Sequence, residues 1–394
     1  MTRLFDDSSL ALVAHVLAHG PLSRADTARD LDLSPATLTR LVRPLISSGT
    51  ISEVRSGVSK TGMGRPTKLL EVSSHNRSFI GINLTSSTIH CVRTDTHARI
   101  ISSQTVPIQN QSADQCLLQL KGLIDEHIRS TKYPSVEGIG ISLGGKIDGS
   151  NVLESRFLGW RNVNLKTFFA ETTAEDVPEI ELVNDVTGLT MLEQWFGLGR
   201  HCEDFVVATI GAGVGHGMVH NLRAVRSPQG GLGMTAHLPL AGAHGVCQYG
   251  HVGCTNGALT VPAILSRAQA GRAITEEGNS PTSAEELMRL ADSGDKSCRR
   301  AIAEFAENLA MYVQTVTSAA LVMDVVLDGE GVCLLESRWA ADFDKHLNSY
   351  ARPDDPRITV HRRSGSFERW AQGAAVAAIV KWLIRTTSSA NGKA

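Results

Sequence analysis

Three stretches of the chain carry residue types that can hold or transform a small molecule. Gly138 to Asp148 (GIGISLGGKID) follows an apolar run, Val183-Asn184-Asp185 ends another, and Ile210 to Val219 (IGAGVGHGMV) joins two more. Glycines beside strands let backbone amides approach a phosphate or a sugar, because no Cβ holds the ligand away. In the last stretch the candidates are Gly211, Gly213 and Gly215. Asp185, at a strand end, has two readings: a general base, or a cap for the helix that follows. Taken singly, each stretch reads equally well as a structural turn.

The elements that must position these residues form an α/β pattern. Short apolar strands at Phe79 to Leu84, Glu137 to Ser142, Phe205 to Ile210 and Asp324 to Leu327 alternate with glycine-rich turns and helical stretches. The segment Val72 to Arg77 is polar and aperiodic and reads as a linker.

Before the linker, residues 1–72 predict three helices and a strand-loop-strand. Leu10, Val13, Ala14 and Leu17 recur at helical spacing until His19-Gly20-Pro21 stops the helix. Ser23 followed by Asp26 has capping-box spacing, with Asp in place of Glu. Ser34 is a good N-cap and Pro35 suits the first helical position, so a third helix starts there, burying Leu38, Leu41, Val42 and Leu45. Pro44 lacks the N–H the helix needs and is expected to kink it or shorten its last turns. Thr50 to Val54 and Lys68 to Val72 are expected to pair as strands, with Arg55 to Thr67 as the loop between them.

This is the plan of a winged helix-turn-helix, and the third helix is its recognition helix. Ser34, Thr37, Thr39, Arg40 and Arg43 face outward, where hydroxyls reach base edges or phosphates and arginine can grip guanine with two hydrogen bonds. Lys60 and Arg65 lie in the loop, and a slim Gly-Arg-Pro stretch can carry Arg65 into a minor groove. Leu33 to Leu70 holds Arg40, Arg43, Arg55, Lys60, Arg65 and Lys68 against Glu53 alone, a local charge of +5 that suits double-stranded DNA. The competing readings are a three-helix bundle with a solvated charged face, and a flexible linker in place of the wing.

Composition narrows the class without naming a partner. The chain has 394 residues, 42% of them hydrophobic, and a net charge of -2, as expected of a globular protein of two or three packed units. Seven cysteines, an odd number scattered through a long chain, do not read as a disulfide framework. Neither a signal peptide nor a run of about 18 apolar residues is present, so a cytoplasmic protein is expected.

A fourth motif joins the glycine stretches: His237, then nine residues, then Cys247-Gln248-Tyr249-Gly250-His251-Val252-Gly253-Cys254. With Leu158-Gly159-Trp160-Arg161-Asn162-Val163 and Gly373-Ala374-Ala375, the set resembles the ROK family of repressors and sugar kinases. The resemblance covers nearly the whole chain, and the head places it with the repressors. It implies a body of two α/β lobes of ribonuclease-H-like, actin/hexokinase-type fold. The expected bounds are a linker at 73–78, a first lobe at 79–184 completed by a helix at 371–386, and a second lobe at 185–370.

The resemblance also implies a zinc site of one His and three Cys. Here His237, Cys247 and Cys254 match and Tyr249 stands where a Cys is expected, which leaves two readings: His251 or His244 completes the set, or the metal is weak or absent and the thiols are ordinary core residues. The kinases of the family end their first strand in Asp followed by Gly-Gly-Thr, which hold magnesium and phosphates. The matching stretch is Asn83-Leu84-Thr85-Ser86-Ser87, which lacks the charge and the bare backbone that phosphoryl transfer needs. Family sugar contacts fall on Phe157, Asn184, Asp185, Met234, His237 and Asn256, of which Phe157, Met234 and Asn256 depart from the family's residue types. The expectation is therefore a DNA-binding regulator, a homodimer or higher homo-oligomer, with no catalysis, whose pocket takes a sugar or an altered, less hydroxylated derivative or no longer senses sugar. The rivals are an active sugar kinase carrying a DNA-binding head and a protein-interaction module.

Overall fold

A computed structural model describes residues 7–55, 68–74, 76–172, 177–225, 236–275, 280–349, 351–352, 354–363 and 365–391. The head begins with α1 (Ser8–His19), capped by Asp7, whose side chain accepts from the amides of Ser9 and Leu10. After the short strand β1 (Leu22–Ser23), Ser23 caps α2 (Arg24–Asp30): it accepts from the Asp26 amide at 3.0 Å and donates to the Asp26 carboxylate at 2.6 Å. Ser34 caps α3 (Pro35–Ser47) by accepting from the Thr37 amide at 3.1 Å. Each such cap is worth about 1 kcal/mol.

Leu38, Val42 and Leu45 are buried and Leu41 is half-buried. Contrary to expectation, Pro44 does not cut α3 short, because the helix runs through it to Ser47. The turn beyond the proline is anchored by Leu45 in the core, and the carbonyls of Pro44, Leu45 and Ile46 accept from Ser48, Thr50 and Gly49. Strands β2 (Ile51–Arg55) and β3 (Lys68–Val72) pair antiparallel, and β1 joins the other edge of β3, completing a winged-helix sheet.

The chain folds into two compact units: Met1–Glu203 with Asn221–Arg223 and Trp370–Ala394, and Asp204–His220 with Ala224–Arg369. In the first, the head is followed by β4 (Arg77–Leu84), β5 (Thr88–Thr94), β6 (Ile100–Pro107), α4 (Ala113–Arg129) and β7 (Ser135–Leu143). Next come the small antiparallel strands β8 (Lys146–Asp148), β9 (Asn151–Ser155) and β10 (Trp160–Asn164), then α5 (Leu165–Thr172), β11 (Ile180–Asn184) and α6 (Asp185–Phe196). The main sheet runs β11-β7-β4-β5-β6, with Ile80, Ile82, Ile139, Ile141 and Leu182 packing on Leu120 and Ile124 of α4.

The C-terminal helix Phe367–Asn391 lies so close to this sheet that a methyl at Gly81 or Gly140 would run into the carbonyl of Ala371 or Ala374. Glycine in β4 and β7 is therefore a packing requirement.

The second unit holds β12 (Phe205–Ile210), β13 (Val214–His220) and β14 (Arg223–Ala224), then α7 (Thr255–Leu259), α8 (Val261–Thr275), α9 (Ala284–Asp292) and α10 (Lys296–Ala320). It closes with β15 (Asp324–Asp328), α11 (Phe343–Leu347) and β16 (Thr359–Arg362), in a sheet ordered β14-β13-β12-β15-β16. In both sheets the first three strands are an antiparallel meander and the last two run parallel to the first, the ribonuclease-H-like plan. Val206, Ala208, Val325 and Leu327 pack on Ile302, Phe305 and Leu309 of α10.

Candidate functional site

On α3 the outward residues divide into two sets. The hydroxyls are already bonded within the helix: Ser34 Oγ caps it and pairs with Thr37 Oγ1 at 2.9 Å, and Thr39 Oγ1 donates to the Pro35 carbonyl at 2.8 Å. Arg40 and Arg43 are exposed, and among the described residues neither guanidinium has an ion-pair or hydrogen-bond partner. Other head cations are engaged. Glu53 accepts from Arg24 at 2.9 Å and from Lys68 at 2.7 Å. These two partners hold the Glu53 carboxyl below its ordinary range, Lys68 contributing most. Lys60 and Arg65 lie outside the described residues.

In the first unit the end of β11 meets the turn after β7. Asn184 is the N-cap of α6: Oδ1 accepts from the Thr187 amide at 3.2 Å and Nδ2 donates to the Gly145 carbonyl at 3.0 Å. Asp185 accepts the Val186 amide at 2.8 Å, and burial still pushes its carboxyl up to about 6 against that bond. A methyl built on Gly144 would lie 2.8 Å from the Phe157 ring and 3.2 Å from Asp185 Oδ2, so the two side chains flank the same glycine. Phe157 is 50% exposed, an apolar face beside a carboxylate whose protonation changes near neutrality. That pairing suits a ligand with one hydroxyl donor and one apolar flank.

Of the other predicted contacts, His237 and Asn256 belong to the second unit and Met234 lies outside the described residues. Asn256 receives the Val214 amide at 3.3 Å on its side chain, and its own amide donates to the Ala236 carbonyl at 2.8 Å.

His237 belongs to a tight cluster. The ligand atoms of His237, Cys247, His251 and Cys254 all lie within 4.8 Å of one another. His237 Nδ1 is 3.3 Å from His251 Nδ1 and 3.6 Å from Cys254 Sγ, and both cysteines are free. Of the two histidines the sequence left open, His251 is in the group. The loop supports the thiols: the Tyr249 amide points at Cys247 Sγ at 3.4 Å and the Gly257 amide at Cys254 Sγ at 3.5 Å. Tyr249 turns its ring edge-on to His237, 5.3 Å between centroids. Two thiols and two imidazoles at this spacing fit a metal ion.

The two loops expected to face phosphates are both internally bonded. Asn83 is buried and donates to Ser142 Oγ at 3.1 Å, while Thr85 Oγ1 receives the Thr88 amide at 3.0 Å. At the β12–β13 turn the amide of Ala212 donates to Glu330 at 2.8 Å, a contact across 118 residues that the sequence reading missed. The only sequence signal is the Gly329-Glu330-Gly331 run after β15.

The profile of the ROK family matches residues 79–380. The xylose repressor of Caldicellulosiruptor bescii is 25% identical over 329 residues, spanning 80% of this chain and 81% of that protein. The DNA-binding transcriptional dual regulator NagC of Escherichia coli K12 is 22% identical over 336 residues, 82% and 80% of the two chains. Among solved structures, a ROK family transcriptional regulator described as a homolog of the Escherichia coli MLC protein superposes with a TM-score of 0.80 at 20% identity, covering 97% of this chain and all (100%) of that one. A ROK family glucokinase from Streptomyces griseus, in complex with glucose and AMPPNP, covers 76% of this chain and 99% of its own, with a TM-score of 0.64 at 20% identity. Repressors and kinases thus share the body's fold, and the match that also spans the head is a regulator. Among the described residues no helix is long and apolar enough to cross a membrane.

Proposed function

The chain belongs to the ROK family, and on that premise we propose that it is a DNA-binding transcription regulator of the repressor branch, whose kinase-like body senses a small molecule without phosphorylating it. The observation that carries the reading is the pair of exposed arginines, Arg40 and Arg43, on the third helix of a winged-helix head, without a partner among the described residues. Arginine held clear of carboxylates is what phosphate and guanine recognition require. Ser34, Thr37 and Thr39 shape the helix start, and Lys60 and Arg65 are candidates for further contacts to DNA. As a homodimer the protein presents two such helices to half-sites one helical turn apart.

The effector class is a sugar or sugar derivative. Asp185, in the position a kinase would use for a base, accepts a ligand hydroxyl, and Phe157 gives the pocket a less polar wall than a fully hydroxylated hexose prefers. Calorimetry with a panel of sugars, sugar phosphates and polyols identifies the ligand. Sugar-dependent ATP hydrolysis at enzymatic rates would instead favour the kinase.

His237, Cys247, His251 and Cys254 are the residues that would hold zinc, with a histidine replacing the cysteine lost at Tyr249. Such a site is structural: it cross-links the segments around His237 and Cys254, which are otherwise joined by backbone pairing such as Thr255 N to the Leu238 carbonyl at 2.9 Å. Metal analysis of the purified protein is expected to give one zinc per chain, and His251→Ala is expected to lose it with a fall in Tm. Unchanged metal content in His251→Ala would remove His251 from the set.

A further inference from the structure

The glycine turn of the second unit already holds an anion, and the chain itself supplies it. Glu330 accepts the Ala212 amide at 2.8 Å, and its carboxylate lies on Gly211 so closely that a methyl there would overlap it. Within the turn Gly211 N donates to the Gly213 carbonyl at 3.0 Å, and the Gly211 carbonyl accepts the Val261 amide at 3.0 Å.

The backbone is built to deliver this side chain. Gly329 has φ +101° and sits against the Ile210 backbone, and Gly365 at φ +68° sits against the Gly329 carbonyl. A side chain at Gly329 would force apart the segments leaving β12 and β15, one at Gly365 those leaving β15 and β16, and either would shift residue 330 from the turn.

We propose that Glu330 is a specificity-determining residue: it occupies the anion cradle of the Gly211–Gly213 turn and thereby excludes the phosphates of a nucleoside triphosphate. Backbone amides in a glycine turn are the donors a phosphate oxygen seeks, and here a carboxylate has taken one of them. Among the described residues Glu330 has no cation partner, so when ionised its charge stands unneutralised, and burial, which pushes its carboxyl above the ordinary range, marks the place as poorly solvated. An incoming polyphosphate must displace the carboxylate and then lie beside it as a like charge in a poorly solvated place. In the first unit Thr85 acts in the same sense, its hydroxyl closing the turn onto the Thr88 amide.

The inference rests on reading the body as a sensor that does not phosphorylate, and it supplies a cause for that behaviour. The test is calorimetry of the full-length protein with Mg·AMPPNP, comparing wild type with Glu330→Ala and with Glu330→Gln, which keeps the shape and removes the charge. Thermal unfolding and promoter binding check that each variant folds. Both variants are expected to bind AMPPNP at least about tenfold more tightly than wild type. Folded variants that bind no better than wild type overturn the role of Glu330 while leaving the sensor reading intact. Wild-type protein that binds AMPPNP as tightly as the variants, and turns over ATP with a sugar, overturns both.

Discussion

On the third helix of the head, Arg40 and Arg43 project with no acceptor among the described residues, whereas in the body two glycine- or hydroxyl-bearing turns are closed by the chain's own side chains, Thr85 and Glu330. The two regions share a raw material, polar groups on exposed turns and helix faces, and differ in whether those groups are already satisfied. Donors left open await a ligand, and donors bonded within the fold hold a shape. On the proposed function, head and body separate into a surface for a polyanion and a scaffold that excludes one, with Asp185 and Phe157 left to meet a smaller, uncharged molecule.

The largest effect expected from this contrast is on the head. Replacing both Arg40 and Arg43 with alanine should weaken binding to the promoter by about two to three orders of magnitude in a gel-shift titration, and reduce the salt dependence by about one counterion per lost phosphate contact. A double variant that binds like wild type would put the recognition surface elsewhere.

Next is Asp185→Asn, which should cost the effector about tenfold or more in affinity, because a charged acceptor is lost. Its stability should move the other way. The folded Asp185 titrates near 6 rather than 3.8, so the folded state binds more protons than the unfolded one between those values, and stability falls as pH rises through that window. Asn removes the loss, so urea unfolding at pH 8 should show a gain of about 1–2 kcal/mol, with little gain at pH 4. Equal stability at both pH values would mean that the carboxylate is not strained by burial.

The smallest effect concerns Glu53, which ties Arg24 to Lys68 and keeps those cations from the duplex. The Glu53 carboxyl is held low, so its contribution is present at neutral pH and disappears on acidification through its folded pKa. Because Arg24 and Lys68 are 36% and 60% exposed, Glu53→Ala should cost only about 0.5–1 kcal/mol at pH 7, and should bind DNA slightly more tightly at low salt. Weaker DNA binding would show that the network orients the wing.

What was legible in the sequence follows the range of the interactions. The caps at Ser23 and Ser34 act within three residues, so residue types alone place α2 and α3. The strands Phe205–Ile210 and Asp324–Asp328 read from their apolar runs because both are buried on two faces. Of the two outcomes expected of Pro44, a kink or a shortened end, the shortening does not occur, because the core contact of Leu45 and the bonds to Ser48, Gly49 and Thr50, which the local rule ignores, retain the turn. Asn184 takes the capping role that sequence had left open for Asp185, freeing that carboxylate to face Phe157 across Gly144. The choice of His251 over His244 depends on a loop closed by pairing of Cys247 with His251, and the Glu330 contact joins segments 118 residues apart. No spacing rule reaches that far.

The most direct test of the account is fluorescence anisotropy of the full-length protein on the DNA upstream of its own gene, measured across a series of salt concentrations. The account predicts tight binding at low salt, a linear fall of log K with log salt, and clear preference over an unrelated duplex. Failure to bind at low ionic strength, or equal affinity for the unrelated duplex, would contradict it.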